Sequence, residues 1–307
     1  MRLAGPAPPP LPYTPCPLPG ELLSSWLKRI AAEFGVTLAH LARHIGLSAS
    51  TREDIDTALT QADIRKVAAA TRLSASEIRE MVHRPFSESA KSLVASQRPI
   101  QFCARCRAHH GAATSLPVAI KAWFEYWQIE CSQCRTPFES LVRPDLRRCN
   151  PAREDPEWFN QLLPAAKAGG ARLAGFARRP LNVALAPTAV LNLMSMRLGL
   201  AWWTSGVADY NPHLDWAGSH CIAELFVPGL QQRMSQELIP RTWTTKDPVR
   251  LVAARAILLA AMEAFLQDAA NAFTRVTRAA TATTAINLER WLAKLPPHSR
   301  QLLTGRG

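Results

Sequence analysis

The sequence predicts a mainly α protein with one small β element set beside paired cysteines. Three observations lead there. Apolar residues recur at helical spacing from Glu21 to His83, and an Ala- and Leu-rich tract punctuated by prolines fills the chain beyond Pro151. Strand-like alternation is confined to Trp127–Cys131 and Phe138–Val142. Hydrophobic residues make up 48% of the 307, enough for a packed core, so a disordered chain is excluded.

Each element has a local reason. Residues 1–19 read as an extended, Pro-rich leader without the makings of a core. After Pro19-Gly20, the spacing of Leu22, Leu23, Trp26, Leu27 and Ile30 predicts a helix stopped at Gly35. Thr37 then caps a second helix carrying Leu38, Leu41 and Ile45, ended by Gly46. Helix, short Gly-containing turn and capped helix are the shape of a helix-turn-helix. The pattern recurs: Asp63–Thr71 turns Ile64, Val67 and Ala68 inward, and the capping box Ser74-Ala-Ser-Glu77 opens a helix with Ile78, Met81 and Val82. Residues 20–98 are therefore expected to form a helix-turn-helix-like domain, closed by Pro85 and a Ser-rich stretch. Residues 99–149 form a separate cysteine module with a short hairpin around its second cysteine pair. Residues 150–307 form a C-terminal helical domain. There Glu154, Asp155 and Glu157, next to Pro151 and Pro156, read as a helix start or loop, and Val249–Thr277 predicts one long helix.

Charge narrows the partners. The chain carries a formal net charge of +12 and a pI near 9.9 although only 20% of its residues are charged. A basic excess on so modest a total points to a polyanion, nucleic acid first. Residues 1–60 are neutral, whereas 61–98 and 99–150 each carry +3 and 246–307 carry +5. The leader has no apolar segment of secretory type. The greasy stretches Leu181–Val207 and Val249–Leu266 are interrupted by Pro187, Arg197, Arg250, Arg255 and Glu263, so no membrane helix is expected. Seven cysteines, an odd number in a chain too large to need disulfide staples, suit a reducing cytosol. No phosphate-binding loop, nucleophile elbow, H-E-x-x-H helix or Mg²⁺-holding carboxylate cluster is present, so no enzymatic activity is expected.

Cys103-Ala-Arg-Cys106 and Cys131-Ser-Gln-Cys134 are two C-x-x-C knuckles separated by 24 residues. A two-residue spacer lets a tight turn aim both sulfurs at one ion, and a second knuckle completes a tetrahedral Zn²⁺ site. Four thiolates leave no open position, so the expected Zn²⁺ is structural. His109 and His110 read as surface residues of this ribbon, with replacement of a cysteine ligand as the lesser alternative. Cys16, Cys149 and Cys221 are isolated. Trp123, Phe124, Tyr126 and Trp127 are expected to supply the ribbon's mini-core, with exposed rings stacking on bases as the alternative.

The run Pro17-Leu-Pro-Gly-Glu-Leu-Leu-Ser-Ser-Trp-Leu27, then Arg29-Ile30 and Phe34-Gly35, resembles the N-terminal signature of the TniQ family. Phe102-Cys103-x-x-Cys106 and the Tyr126-Trp127 pair ahead of Cys131 are similar to the ribbon of the same family. The resemblance covers roughly residues 15–140. TniQ members usually close the site with C-x-x-H, often followed by Gly, where this chain has Cys134-Arg135. The resemblance implies an accessory protein of DNA transposition, not a transposase. Such an adaptor helps choose the target and bridges target DNA, or a targeting complex, to an ATP-dependent transposition regulator.

Candidate DNA contacts follow from outward basic positions on these elements. His40, Arg43 and His44 lie on the outer side of the second helix, and Arg79 lies outward in the fourth with Ser76 and His83. Arg105, Arg107 and Lys121 in the ribbon, with Arg143, Arg147 and Arg148 after it, make the densest basic stretch. Arg275, Arg278, Arg290 and Lys294 read as solubilising charge. The expected partners are DNA and a transposition ATPase or other targeting protein, with room for a homo-oligomer and none for a membrane. The expected location is the bacterial cytoplasm, at the nucleoid when bound. A transcriptional regulator using the same modules is the alternative.

Overall fold

The structure, a computed structural model, describes residues 10–48, 51–83, 93–95, 98–114, 116–141, 155–178, 183–198, 220–228, 230, 252–280 and 282–305. Twelve α-helices and four two-residue strands lie among them, so the protein is mainly helical, as its sequence predicts. The chain divides into two compact units. One comprises Met1–Phe86, Val94–Glu125 and Glu130–Glu139; the other comprises Ser87–Leu93, Tyr126–Ile129 and Ser140–Gly307. No helix among the described residues is long and apolar enough to cross a membrane.

In the first unit α1 (Leu23–Glu33), α2 (Leu38–Ile45), α3 (Arg52–Thr57), α4 (Gln61–Thr71) and α5 (Ala75–Glu80) enclose one apolar core. Leu23, Trp26, Leu27, Ile30, Ile45, Ile55, Val67 and Ile78 are fully buried in it. Short hydroxyl caps start four of the five helices: Thr37, Thr51, Thr60 and Ser74 each accept the backbone N–H three residues on. Asp63 and Glu77 return the bond to Thr60 and Ser74, completing two capping boxes. The start of α1 has no side-chain cap. Its orphan donors are met by distant acceptors instead: Leu22 N–H reaches Ala119 O, Leu23 N–H reaches Met81 O, and Ser24 N–H reaches Asp56 Oδ1 at 2.9 Å. Gly35 and Gly46 end α1 and α2 at φ +65° and +77°, the left-handed region where only glycine is unstrained.

Three expectations need correction here. α3 was not foreseen. Leu11, in the leader, is 7% exposed and belongs to the core, its N–H donating to Ala70 O at 2.8 Å. Apolar burial wins over proline content at that position. His83 does not face outward: it is 3% exposed, with Nδ1 3.4 Å from Glu125 Oε1.

The same unit holds β1 (Gln101–Phe102) and α6 (Ala104–Ala113); β1 pairs with β2 (Glu139–Ser140). The expected hairpin between Trp127–Cys131 and Phe138–Val142 is reduced to one antiparallel bridge, Glu130 to Pro137, because residues 139–140 pair with β1.

In the second unit α7 (Pro156–Arg178) packs along α9 (Val252–Gln267). Asp155 Oδ1 accepts the Trp158 N–H at 3.0 Å and Pro156 occupies the first turn, so Asp155 is a helix start, as read. The two helices touch at backbone level. A Cβ on Gly169 would stand 2.2 Å from Leu259 O. Arg172 Nε and Nη2 each donate to Glu263 at 2.7 Å, clamping the same pair of helices. Arg255, fully buried, lies over the Tyr126 ring with Cζ 5.6 Å from its centroid, and burial pulls its pKa down to about 9. The expected single helix over Val249–Thr277 is two. Asp268 accepts the Asn271 N–H and starts α10 (Ala269–Ala279), a local cap that overrides the continuous Ala-rich pattern. α8 (Pro187–Ser195), α11 (Ala282–Ala293) and α12 (Pro297–Thr304) complete the unit, with β3 (Arg197–Leu198) paired antiparallel to β4 (His220–Cys221). Arg275 is not merely solubilising: its Nη2 donates to Leu225 O at 2.8 Å and its guanidinium covers Phe226.

Candidate metal centre

Cys103, Cys106, Cys131 and Cys134 come together as the knuckle spacing requires, with all four sulfurs within 4.8 Å of one another. Cys106 Sγ lies 3.6 Å from Cys131 Sγ and 3.4 Å from Cys134 Sγ. A tetrahedron with metal–sulfur bonds of about 2.3 Å has edges of about 3.8 Å, so the four thiols can close on one ion with small adjustments. Three of them are buried and Cys134 is half-buried. Buried thiols with no disulfide, grouped at this spacing, fit a metal and little else.

Each sulfur is aimed by its backbone. Cys103 is the N-cap of α6, so the backbone N–H of Cys106 in the first turn lies near its sulfur. Burial alone would push the Cys103 thiol up; that N–H, the Thr136 hydroxyl and the neighbouring cysteines outweigh it and bring the thiol down to about 7. Burial and the adjoining sulfurs push Cys106 up. A cation held by the four thiolates would take the place of these protons and relieve the conflict between the thiols. The second knuckle is a tight turn: Cys131 N–H donates to Thr136 O, Arg135 N–H to Cys131 O, and Cys134 N–H to Cys131 Sγ. Arg135 holds φ +52°, a left-handed position. Arg107 lies over the Phe102 ring at 5.0 Å and closes the outside of the first knuckle.

The centre is wired to α1 by residues that motif inspection left without a role. Glu21, 1% exposed, accepts from Arg29 Nε at 3.0 Å and Arg29 Nη2 at 2.7 Å, from Ser25 Oγ at 3.0 Å and from Leu18 N–H at 3.0 Å. Arg29 also donates to Cys16 O, and Trp26 Nε1 donates to Pro15 O at 2.7 Å. Ser25 Oγ accepts the Ala119 N–H, Glu21 bridges to Ile120, and Lys121 N–H returns to Gly20 O. Gln133, inside the second knuckle, donates to Pro19 O. The Pro17–Arg29 signature is therefore a polar seam joining leader, α1 and ribbon. Its sequence trace was Glu21, Ser25 and Arg29, three polar residues four apart along an otherwise apolar face.

The other sequence candidates divide. His40, Arg43, His44, Arg105 and Arg107 are exposed. Arg79 is exposed and donates to Gln61 Oε1, and half-buried Lys121 donates from Nζ to Glu80 O at 3.2 Å. Arg143, Arg147, Arg148 and Cys149 lie outside the described residues, as does the Cys221 side chain. Cys16 is exposed. His109 is exposed, but His110 is not a surface residue: it is 4% exposed, its ring 6.4 Å from that of Trp123. The four aromatic residues are all buried, which removes the base-stacking alternative. Only Trp123 and Phe124 belong to the ribbon's unit; Tyr126 and Trp127 belong to the second.

Residues 12–134 match the family model described as TniQ. No curated protein and no solved structure matches the chain.

Proposed function

With residues 12–134 forming a TniQ domain, we propose that the protein is a non-catalytic accessory protein of DNA transposition. In this reading it binds target DNA, or a targeting complex, and recruits an ATP-dependent transposition regulator. The observation that carries the reading is the family match across the seam and both knuckles. Most of the matched residues build the first unit, and among the described ones no nucleophile, acid–base pair or open metal position stands out. The ion is structural Zn²⁺ held by Cys103, Cys106, Cys131 and Cys134, which leaves no coordination site for substrate. DNA contact falls to exposed cations on rigid elements: His40, Arg43 and His44 on α2, Arg79 on α5, and Arg105 and Arg107 on α6. Lys121 and Arg143, Arg147 and Arg148 extend the set, and the cytoplasm at the nucleoid is where it works.

Affinity purification of the tagged chain from its own host, with identification of co-purifying proteins, tests the reading directly. A transposition ATPase or targeting complex is the expected partner. Recovery of RNA polymerase instead, with binding to one preferred operator, would overturn the adaptor in favour of a transcriptional regulator.

A further inference from the structure

The first unit holds a cavity of about 510 Å³, lined at one end by Cys106 and Cys131 of the cysteine cluster and within the size range of built ligand sites. Met81, Ile120, Trp123 and Phe138 give it apolar walls. Its charged lining runs against the sign of the molecule: four glutamates face one lysine in a chain of net charge +12. Glu21 is already paired with Arg29, and Glu125 Oε1 lies 3.4 Å from His83 Nδ1. Glu77 and Glu80 are exposed. His110, buried in the lining like Glu21 and Glu125, is a second and independent sign of a ligand. It is 4% exposed, and its Nδ1 has no hydrogen-bond partner. Buried polar atoms are ordinarily satisfied, so this one marks bonding capacity for an incoming group. Burial lowers the His110 pKa, which keeps the ring neutral and able to accept.

The geometry points to this cavity as the docking site of a cationic side chain, arginine foremost, presented by a protein partner. An arginine stem packs on apolar walls while its planar head supplies several donors to carboxylate and imidazole. Nucleic acid phosphate is the wrong ligand here, because glutamates without a cationic excess repel it. The inference deepens the adaptor reading by giving the partner protein a place to bind, yet its test depends on neither DNA nor an ATPase.

Titrating the zinc-loaded full chain with N-acetyl-arginine amide, followed by NMR at the His110 imidazole and Trp123 indole, reads the site. Saturable shifts in the millimolar range are expected, with none from N-acetyl-glutamate amide. The double variant Glu77→Gln/Glu80→Gln should weaken the probe about tenfold, since each carboxylate contributes a few-fold in a solvent-like medium. Gln at position 77 still accepts the Ser74 N–H, so the helix keeps its cap. Absence of saturable shifts, equal response to the acidic probe, or unchanged affinity in the variant would overturn the site. So would displacement of the probe by duplex DNA. A probe that binds while the ATPase does not leaves the cavity standing and removes the adaptor; the reverse removes the cavity alone.

Discussion

Asp63 joins two helices through one carboxylate. It closes the capping box of α4 with Thr60, and it accepts both the N–H and the hydroxyl of Ser48, which follows α2. Burial, at 1% exposure, would raise its pKa, but those hydrogen bonds from Ser48 and Thr60 outweigh it and hold the carboxyl to about 2. A folded pKa below the unfolded one stabilises above the unfolded value near 4 and is lost as pH falls through 2. The difference corresponds to about 2 kcal/mol. Asp63→Asn is expected to lose about that much at pH 7 by urea unfolding, and the gap from wild type should shrink as pH falls from 4 to 2. A gap that stays constant with pH would show that shape, not charge, matters at this position. Arg135 gives the opposite case. It occupies a left-handed turn that costs a non-glycine residue about 1 kcal/mol, so Arg135→Gly should raise the unfolding free energy of the zinc-bound protein by several tenths of a kcal/mol to about 1.

Helix α7 carries a stricter demand. Its Gly169 lets the α9 backbone approach so closely that a methyl group would overlap Leu259 O. Gly169→Ala should therefore cost about 3 kcal/mol or more, read as a lowered unfolding midpoint. Gly175, on the same helix with nothing within 4 Å of an added Cβ, is the matched control: Gly175→Ala should stabilise by roughly 0.5–1 kcal/mol. Neither behaviour could be read from the sequence, where both are simply glycines in a helical pattern. What could be read was local. Thr37, Ser74 and Glu77 announced their caps because capping acts over three residues, and C-x-x-C twice announced its four thiols. α3 escaped because six residues with one core side chain, Ile55, show no period, although Thr51 and Asp54 carried a cap signal. His83 was set on the wrong side because its partner, Glu125, lies 42 positions away in the chain. The break at Asp268 was hidden by apolar residues on both sides, and the burial of Leu11 depends on a groove that only the assembled helices provide.

At the scale of the molecule, metal and charge set the expected behaviour. If the proposed Zn²⁺ is held by the four cysteines, Cys131→Ser, or chelation of the wild type, should remove it and lower the thermal midpoint of the first unit, since ligand binding and local folding share one free energy. Full metal occupancy in Cys131→Ser by atomic absorption would exclude the four-cysteine centre. The proposed DNA binding through exposed cations should weaken steeply with salt. Four phosphate contacts predict a loss of about a hundredfold between about 50 and 200 mM, measured by fluorescence anisotropy. An affinity that barely changes would exclude phosphate clamping. The course of the chain adds a matter of timing. It passes between the two units five times, at 86/87, 93/94, 125/126, 129/130 and 139/140. No single cleavage, therefore, yields either unit whole. During translation at about 5–20 residues per second, roughly 6 to 26 seconds separate the emergence of Leu11 from that of Glu139. For most of that interval α1 lacks Ala119 for its Leu22 N–H, and the first knuckle, once made, waits 25 residues for the first sulfur of the second. Until the ribosome delivers the rest, an apolar helix and a pair of thiols stand without the partners that the folded unit gives them.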